Sequence, residues 1–172
     1  MFKNLLDRLK GLPPDPTADW PQLNPTTPAI DWSGGTIGGV RFRANLESAR
    51  GVFGKPSEVK WIDKNYCSLI YASAGFEVDF QNDRLASAAI LTQIDCYSSA
   101  GITPTSSQID GFSFSQHTTL DDVTRRFDKA EQPHDVDDEE IIVTYERHGL
   151  SVEFEFTLER TLKRLNLFLI EA

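Results

Sequence analysis

Histidines, cysteines and clustered carboxylates carry most acid–base, nucleophilic and metal chemistry, and in this 172-residue chain they are few and dispersed. His117, His134 and His148 do not stand at metal-ligand spacing from one another or from a cysteine. His117 precedes a helix pattern and His148 falls in a hairpin turn, so both read as solvated imidazoles. Cys67 and Cys96 are no disulfide framework, and Cys67, inside a strand pattern, reads as a small buried hydrophobe. The cytoplasm is therefore the expected compartment. Gly34, Gly35, Gly38 and Gly39 are followed by a strand pattern, so no helix N-terminus stands ready to receive a phosphate. No nucleophile elbow is present. Asp135, Asp137, Asp138, Glu139 and Glu140 lack the central glycine and the terminal glutamate spacing of a calcium loop. These patterns predict no catalytic residue, no cofactor and no metal site, and so a protein that is not an enzyme.

Charge gives the more positive indication. The chain has 17 basic and 26 acidic residues, a formal net charge of −9, which opposes nucleic-acid binding. Glu131, Asp135, Asp137, Asp138, Glu139 and Glu140 follow one another with no lysine or arginine between them. Glu77, Asp79, Glu153 and Glu155 add to the same field from strand faces. Such a field steers a basic protein toward the chain, and the 131–140 segment is the expected contact region.

The elements that must position these residues come from an internal repeat. Tyr71, Gly75, Val78 and Phe80 recur 74 positions later as Tyr145, Gly149, Val152 and Phe154. Leu46, Ala49 and Phe53 recur at the same offset as Leu120, Val123 and Phe127, in each case one apolar stripe of a short helix. Asn45 and the Thr119–Asp122 pair are placed to cap these helices, and Gly54 and Pro56 end the first. Upstream, Ile37, Gly39, Val40 and Phe42 match Ile109, Gly111, Phe112 and Phe114 at an offset of 72. Downstream, Leu85, Ala88 and Ile90 match Leu162, Leu165 and Leu167 at 77. Phe76, Val78 and Phe80 alternate with acidic residues, as do Val152, Phe154 and Phe156, so each strand has one apolar and one acidic face.

The expected fold is α+β: two tandem β-α-β(3-4) repeats forming an antiparallel sheet with helices packed on one face. The expected segments are an amphipathic helix over 1–12, a Pro/Gly-rich linker over 13–35, repeat 1 over 36–97, a linker over 98–108 and repeat 2 over 109–172. Trp20 is available to pin the first linker to the body. No stretch reaches the roughly 20 apolar residues of a membrane span, and the start lacks the pattern of a signal peptide. Residues 1–12 could instead rest on a membrane surface, which would make the protein a peripheral adaptor.

Gly54-Lys55-Pro56 after a helix, with Ile109-x-Gly111-x-x-Phe114, Tyr145-x-x-x-Gly149-x-x-Val152-x-Phe154 and Leu162-x-x-Leu165-x-Leu167, resembles small bacterial domains that pair a helix with an antiparallel sheet. Such domains are similar to the repeat of β-lactamase inhibitor protein, to small outer-membrane assembly lipoproteins and to candidate toxin-immunity proteins. The resemblance implies a non-enzymatic module that binds a protein, and with this charge an acidic immunity protein occluding a toxin's basic site. A small-molecule or enzymatic domain with a groove between the repeats is the alternative.

Overall fold

The computed structural model describes residues 11–93, 102–127, 135–136 and 139–170. The helix expected over residues 1–12 lies outside them, save for its last two positions. The chain builds β1 (Ile30–Asp31), β2 (Thr36–Ile37), β3 (Val40–Arg41), α1 (Glu47–Phe53), β4 (Glu58–Asp63), β5 (Tyr66–Tyr71), β6 (Phe76–Gln81) and β7 (Arg84–Leu91). It continues through β8 (Ser107–Ile109), β9 (Phe112–Phe114), α2 (Leu120–Phe127), β10 (Asp135–Val136), β11 (Ile141–Arg147), β12 (Leu150–Phe156) and β13 (Leu162–Leu169).

Eight of these strands form one sheet in the order β10-β11-β12-β13-β7-β6-β5-β4, every neighbour antiparallel. Each repeat thus supplies one half, and the closing strands β7 and β13 meet at the seam. Their register is two-fold symmetric. Leu165 pairs with Ile90, Asn166 with Ala89 and Leu167 with Ala88. Because β13 follows β7 by 77 positions, exchanging the repeats turns the first of these pairs into the last and leaves Asn166–Ala89 in place. The bulges obey the same exchange: Ala86 is the extra residue on β7 and Lys163, 77 positions on, the extra residue on β13.

The sheet also corrects the repeat alignment. Tyr71 and Tyr145 are equivalent as expected, but Phe154 pairs with Leu165 as Val78 pairs with Ala88, and Phe156 with Leu162 as Phe80 with Leu85. The offset over β12 is therefore 76, not 74, because the β11–β12 hairpin is two residues longer than its counterpart. A shift of two leaves every side chain on its expected face.

The α+β expectation, with helices as the cover of one face, is overturned: the molecule is mostly β. Helices α1 and α2 are 7 and 8 residues long, about two turns each, and cannot span a face eight strands wide. The remaining cover is a second sheet of five short strands, ordered β3-β2-β1-β8-β9. The physical reason lies in the residues matched as Gly39 and Gly111. Gly38–Gly39 and Asp110–Gly111 both take positive φ at two consecutive positions, which folds the segments around them into tight hairpins instead of single strands. At Gly38 a Cβ would stand 2.8 Å from the Phe53 ring, so the turn also needs glycine for space.

Between the sheets lies one continuous core. The Phe53 ring lies 5.7 Å from Tyr71 and 5.3 Å from Phe76, and Tyr71 and Phe76 stack at 4.5 Å. Phe127, Tyr145 and Phe154 make the corresponding group in the second half, tilted or edge-on rather than stacked. The difference follows from the register: Tyr71 lies directly opposite Phe76, whereas Tyr145 lies opposite Val152. Trp32, fully buried, joins this group 5.9 Å from Phe127, and the guanidinium of Arg147 lies 4.9 Å from the Trp32 ring. Both caps form. Asn45 Oδ1 accepts from Ser48 N at 3.2 Å, and Thr119 and Asp122 bond each other's backbone N–H reciprocally at 3.0 and 3.2 Å. The proline-rich segment lies against the body, with Trp20 buried and Pro21 O accepting from Lys55 N.

Candidate functional site

The face of the large sheet turned away from the core gathers the polar side chains. Alternation puts Glu77 and Asp79 of β6, Ser87 and Ala89 of β7, Arg164, Asn166 and Phe168 of β13, and Glu153 and Glu155 of β12 on that face. The corrected register gives the arrangement its meaning. Glu77 neighbours Ala89 as Glu153 neighbours Asn166, and Asp79 neighbours Ser87 as Glu155 neighbours Arg164. The four carboxylates are thus two symmetric pairs about the Ala89–Asn166 contact. Glu77 and Glu153 stand three strand spacings apart, about 14 Å.

The two halves satisfy these carboxylates differently. Asp79 Oδ2 accepts from Ser87 Oγ at 2.6 Å and from Tyr66 Oη at 3.1 Å, while Oδ1 is buried with no hydrogen-bond partner. Glu155 accepts from Asn166 Nδ2 and feels the neighbouring Arg164 guanidinium. Burial raises the pKa of Glu77, Glu153 and Glu155 above the usual carboxylate range. Nearby Asp79 raises Glu77 further, against opposition from Arg164 and Lys60. For Glu153 the second influence is Glu155, and among the described residues no cation opposes it. Each acid that ionises here makes the next harder to ionise, which is the electrostatic condition a bound cation relieves. Phe168, 36% exposed, lies on the same face beside Ser151.

The acidic segment expected to be the contact region is only partly described. Glu131, Asp137 and Asp138 lie outside the described residues. Asp135 opens β10 at the sheet edge, opposite Ile142. Glu139 is exposed. Glu140 bonds Lys163 Nζ at 2.6 Å, and its charge raises Glu155, so it belongs electrically to the carboxylate face. Sequence reasoning had the four acids of the strand faces but not Tyr66, Ser87, Arg164, Asn166 or Phe168. The alternation of Arg164, Asn166 and Phe168 with Leu165 and Leu167 was the pattern that could have shown the last three. His148 is exposed in the β11–β12 turn with φ 53°, His134 lies outside the described residues, and His117 lines a cleft beside α2. Cys67 is buried, and burial pushes its thiol up to about 11, as an inert core residue requires. Among the described residues no cluster of His, Cys, Asp or Glu could hold a metal ion, and no helix is long and apolar enough to cross a membrane.

No protein-family model matches the chain, and no curated protein matches it in sequence. Two solved structures share its fold. A DUF4309 family protein, YjgB, from Bacillus subtilis aligns at 12% identity over 77% of this chain and 84% of that one, with a TM-score of 0.51. An extracellular protein containing an SCP domain, from Bacillus anthracis, aligns at 10% identity over 86% of this chain, with a TM-score of 0.52. This chain spans about half of the latter's length, 48%. At these identities the likeness concerns the fold alone.

Proposed function

We propose that the protein is a non-enzymatic binding module that holds a basic protein surface against the carboxylate face of its large sheet. The observation that carries this reading is the symmetric set Glu77, Asp79, Glu153 and Glu155, half-buried on one face, with three of the four pushed toward their neutral forms by burial and mutual repulsion. A partner's arginine or lysine seated there relieves the repulsion, an energetic gain specific to a cationic group. Phe168 offers an aromatic surface for the same side chains. In its most specific form the module is a cytoplasmic immunity protein that occludes the basic site of a toxin, and a toxin gene found next to its own would support that form.

The test is capture of a partner by three tagged chains: the parent, E77Q/E153Q/E155Q, and a control, D19N/E47Q/E159Q, that removes as much charge away from this face. The reading expects a basic protein captured by parent and control and lost from the first variant. Equal capture by all three, or a partner with no basic surface, contradicts it.

A further inference from the structure

Several residues that break the repeat line one cleft. Between β9 and α2 the second copy has Ser115, Gln116, His117 and Thr118, where the first has only Arg43 and Ala44 between Phe42 and Asn45. On α2, Arg125 and Arg126 stand where α1 has Gly51 and Val52. This insertion and these arginines, with Phe112 of β9, line a cleft of about 480 Å³, a size that suits a small organic ligand.

Its inner chemistry is one of donors. Ser115 Oγ accepts from His117 N at 3.2 Å and Thr118 Oγ1 accepts from Ser115 N at 2.9 Å, so each hydroxyl has spent an acceptor position on the turn and keeps its hydrogen to donate. Arg126 is held in place, with Nη2 donating to Asp110 O at 3.0 Å and its guanidinium 5.3 Å from the Phe127 ring. Arg125 is exposed and reaches Asp122 only at 3.5 Å. Among the described residues Asp122 is the one carboxylate lining the cleft, and its Oδ2 is already taken by Thr119 N and Oγ1, contacts that hold its pKa below the usual range. Neighbouring Asp121 is engaged by Arg160 at 2.9 Å. In a chain of net charge −9, two guanidinium groups, an imidazole and two hydroxyl donors around one cleft form a local anion site.

We infer that this cleft binds a small phosphate ester, its phosphate between Arg125 and Arg126 with the Ser115 and Thr118 hydroxyls, and its organic part along Phe112. The site is separate from the carboxylate face, and neither depends on the other. Amide-resolved NMR titration of the intact chain with inorganic phosphate and with AMP tests it, beside R125A, H117A and the E77Q/E153Q/E155Q chain. Saturable shifts at residues 113–118 are expected with both ligands, with AMP about tenfold tighter or more. R125A should weaken AMP by about tenfold with an unchanged Tm, H117A should weaken it less, and the carboxylate-face variant should bind as the parent does. The inference is overturned by the absence of saturable shifts at about 10 mM ligand, well above the affinity such a site provides. It is equally overturned by unaltered binding in R125A, or by equal affinities for phosphate and AMP.

Discussion

The two faces of the large sheet were duplicated together and have been kept by different rules. On the covered face, position after position is apolar in both halves, and even the size differences are local: Leu165 opposite Ile90 is matched across the dyad by Leu167 opposite Ala88. On the other face the carboxylates are shared while their surroundings are not. Ser87 occupies the place of Arg164, and Ala89 that of Asn166, so Asp79 is met by hydroxyls and Glu155 by a guanidinium and an amide. A core tolerates only substitutions that keep volume and hydrophobicity. The carboxylate face, which we propose binds a partner, has kept its charge and varied the groups around it.

If that contrast is right, the covered face should respond to truncation far more strongly than the other. Leu165→Ala at the seam makes the two halves of the covered face alike at that position and should cost about 3 kcal/mol in denaturant unfolding. Ser87→Ala removes the 2.6 Å hydroxyl bond to Asp79 and should cost about 1.5 kcal/mol in the same measurement, because the carboxylate then retains only Tyr66. A larger loss for Ser87→Ala than for Leu165→Ala would reverse the assignment of roles.

The raised carboxylates predict a gain. A group whose folded pKa lies above its ordinary value stabilises the fold below that ordinary value, and this contribution is lost as pH rises through the folded pKa. Glu77, Glu153 and Glu155 are of this kind, so at pH 7 their charges work against the fold. E77Q/E153Q/E155Q should therefore melt about 2 to 4 °C above the parent at pH 7, the shift that roughly 1 kcal/mol gives in a domain of this size. The advantage should vanish near pH 4. A variant less stable than the parent at pH 7 would mean that these acids make contacts the fold needs.

The smallest effect belongs to the helix cap. Thr119→Ala breaks the reciprocal bonds with Asp122 and should cost about 1 kcal/mol. Asp122 has the opposite sign from the sheet acids: its pKa is lowered by Thr119, so its contribution is present above its ordinary 3.8 and is lost as pH falls through the folded value. Thr119→Ala should accordingly matter at pH 7 and fade in strong acid.

Much of this was legible in the residues because of period two. The faces of β6 and β12 were readable from Phe76, Val78 and Phe80 and from Val152, Phe154 and Phe156, and remained right though the second hairpin is two residues longer than supposed, since a shift of two preserves the face. Caps at Asn45 and Thr119 were visible as residue type and spacing. The second sheet was not, although Gly38-Gly39 and Asp110-Gly111 are two-residue turn signals, because the flanking strands are only two or three residues long and each segment reads as one strand. The two-fold seam was also out of reach: a repeat gives the order of units along the chain and not the edges by which they meet. The cleft had one visible sign, the slip from 72 to 74 between Phe114 and Leu120, where an insertion carries His117.

On the proposed function the symmetric carboxylates recognise a basic partner, and the decisive measurement is partner affinity in two variants of equal net charge. E77Q/E153Q should bind roughly tenfold or more weakly than the parent, because each glutamine removes a half-buried charge that the partner neutralises. E47Q/E159Q, altered by the same amount away from the face, should stay within about twofold of the parent. Equal weakening in both variants would show that overall charge alone draws the partner, and would contradict a site on this face.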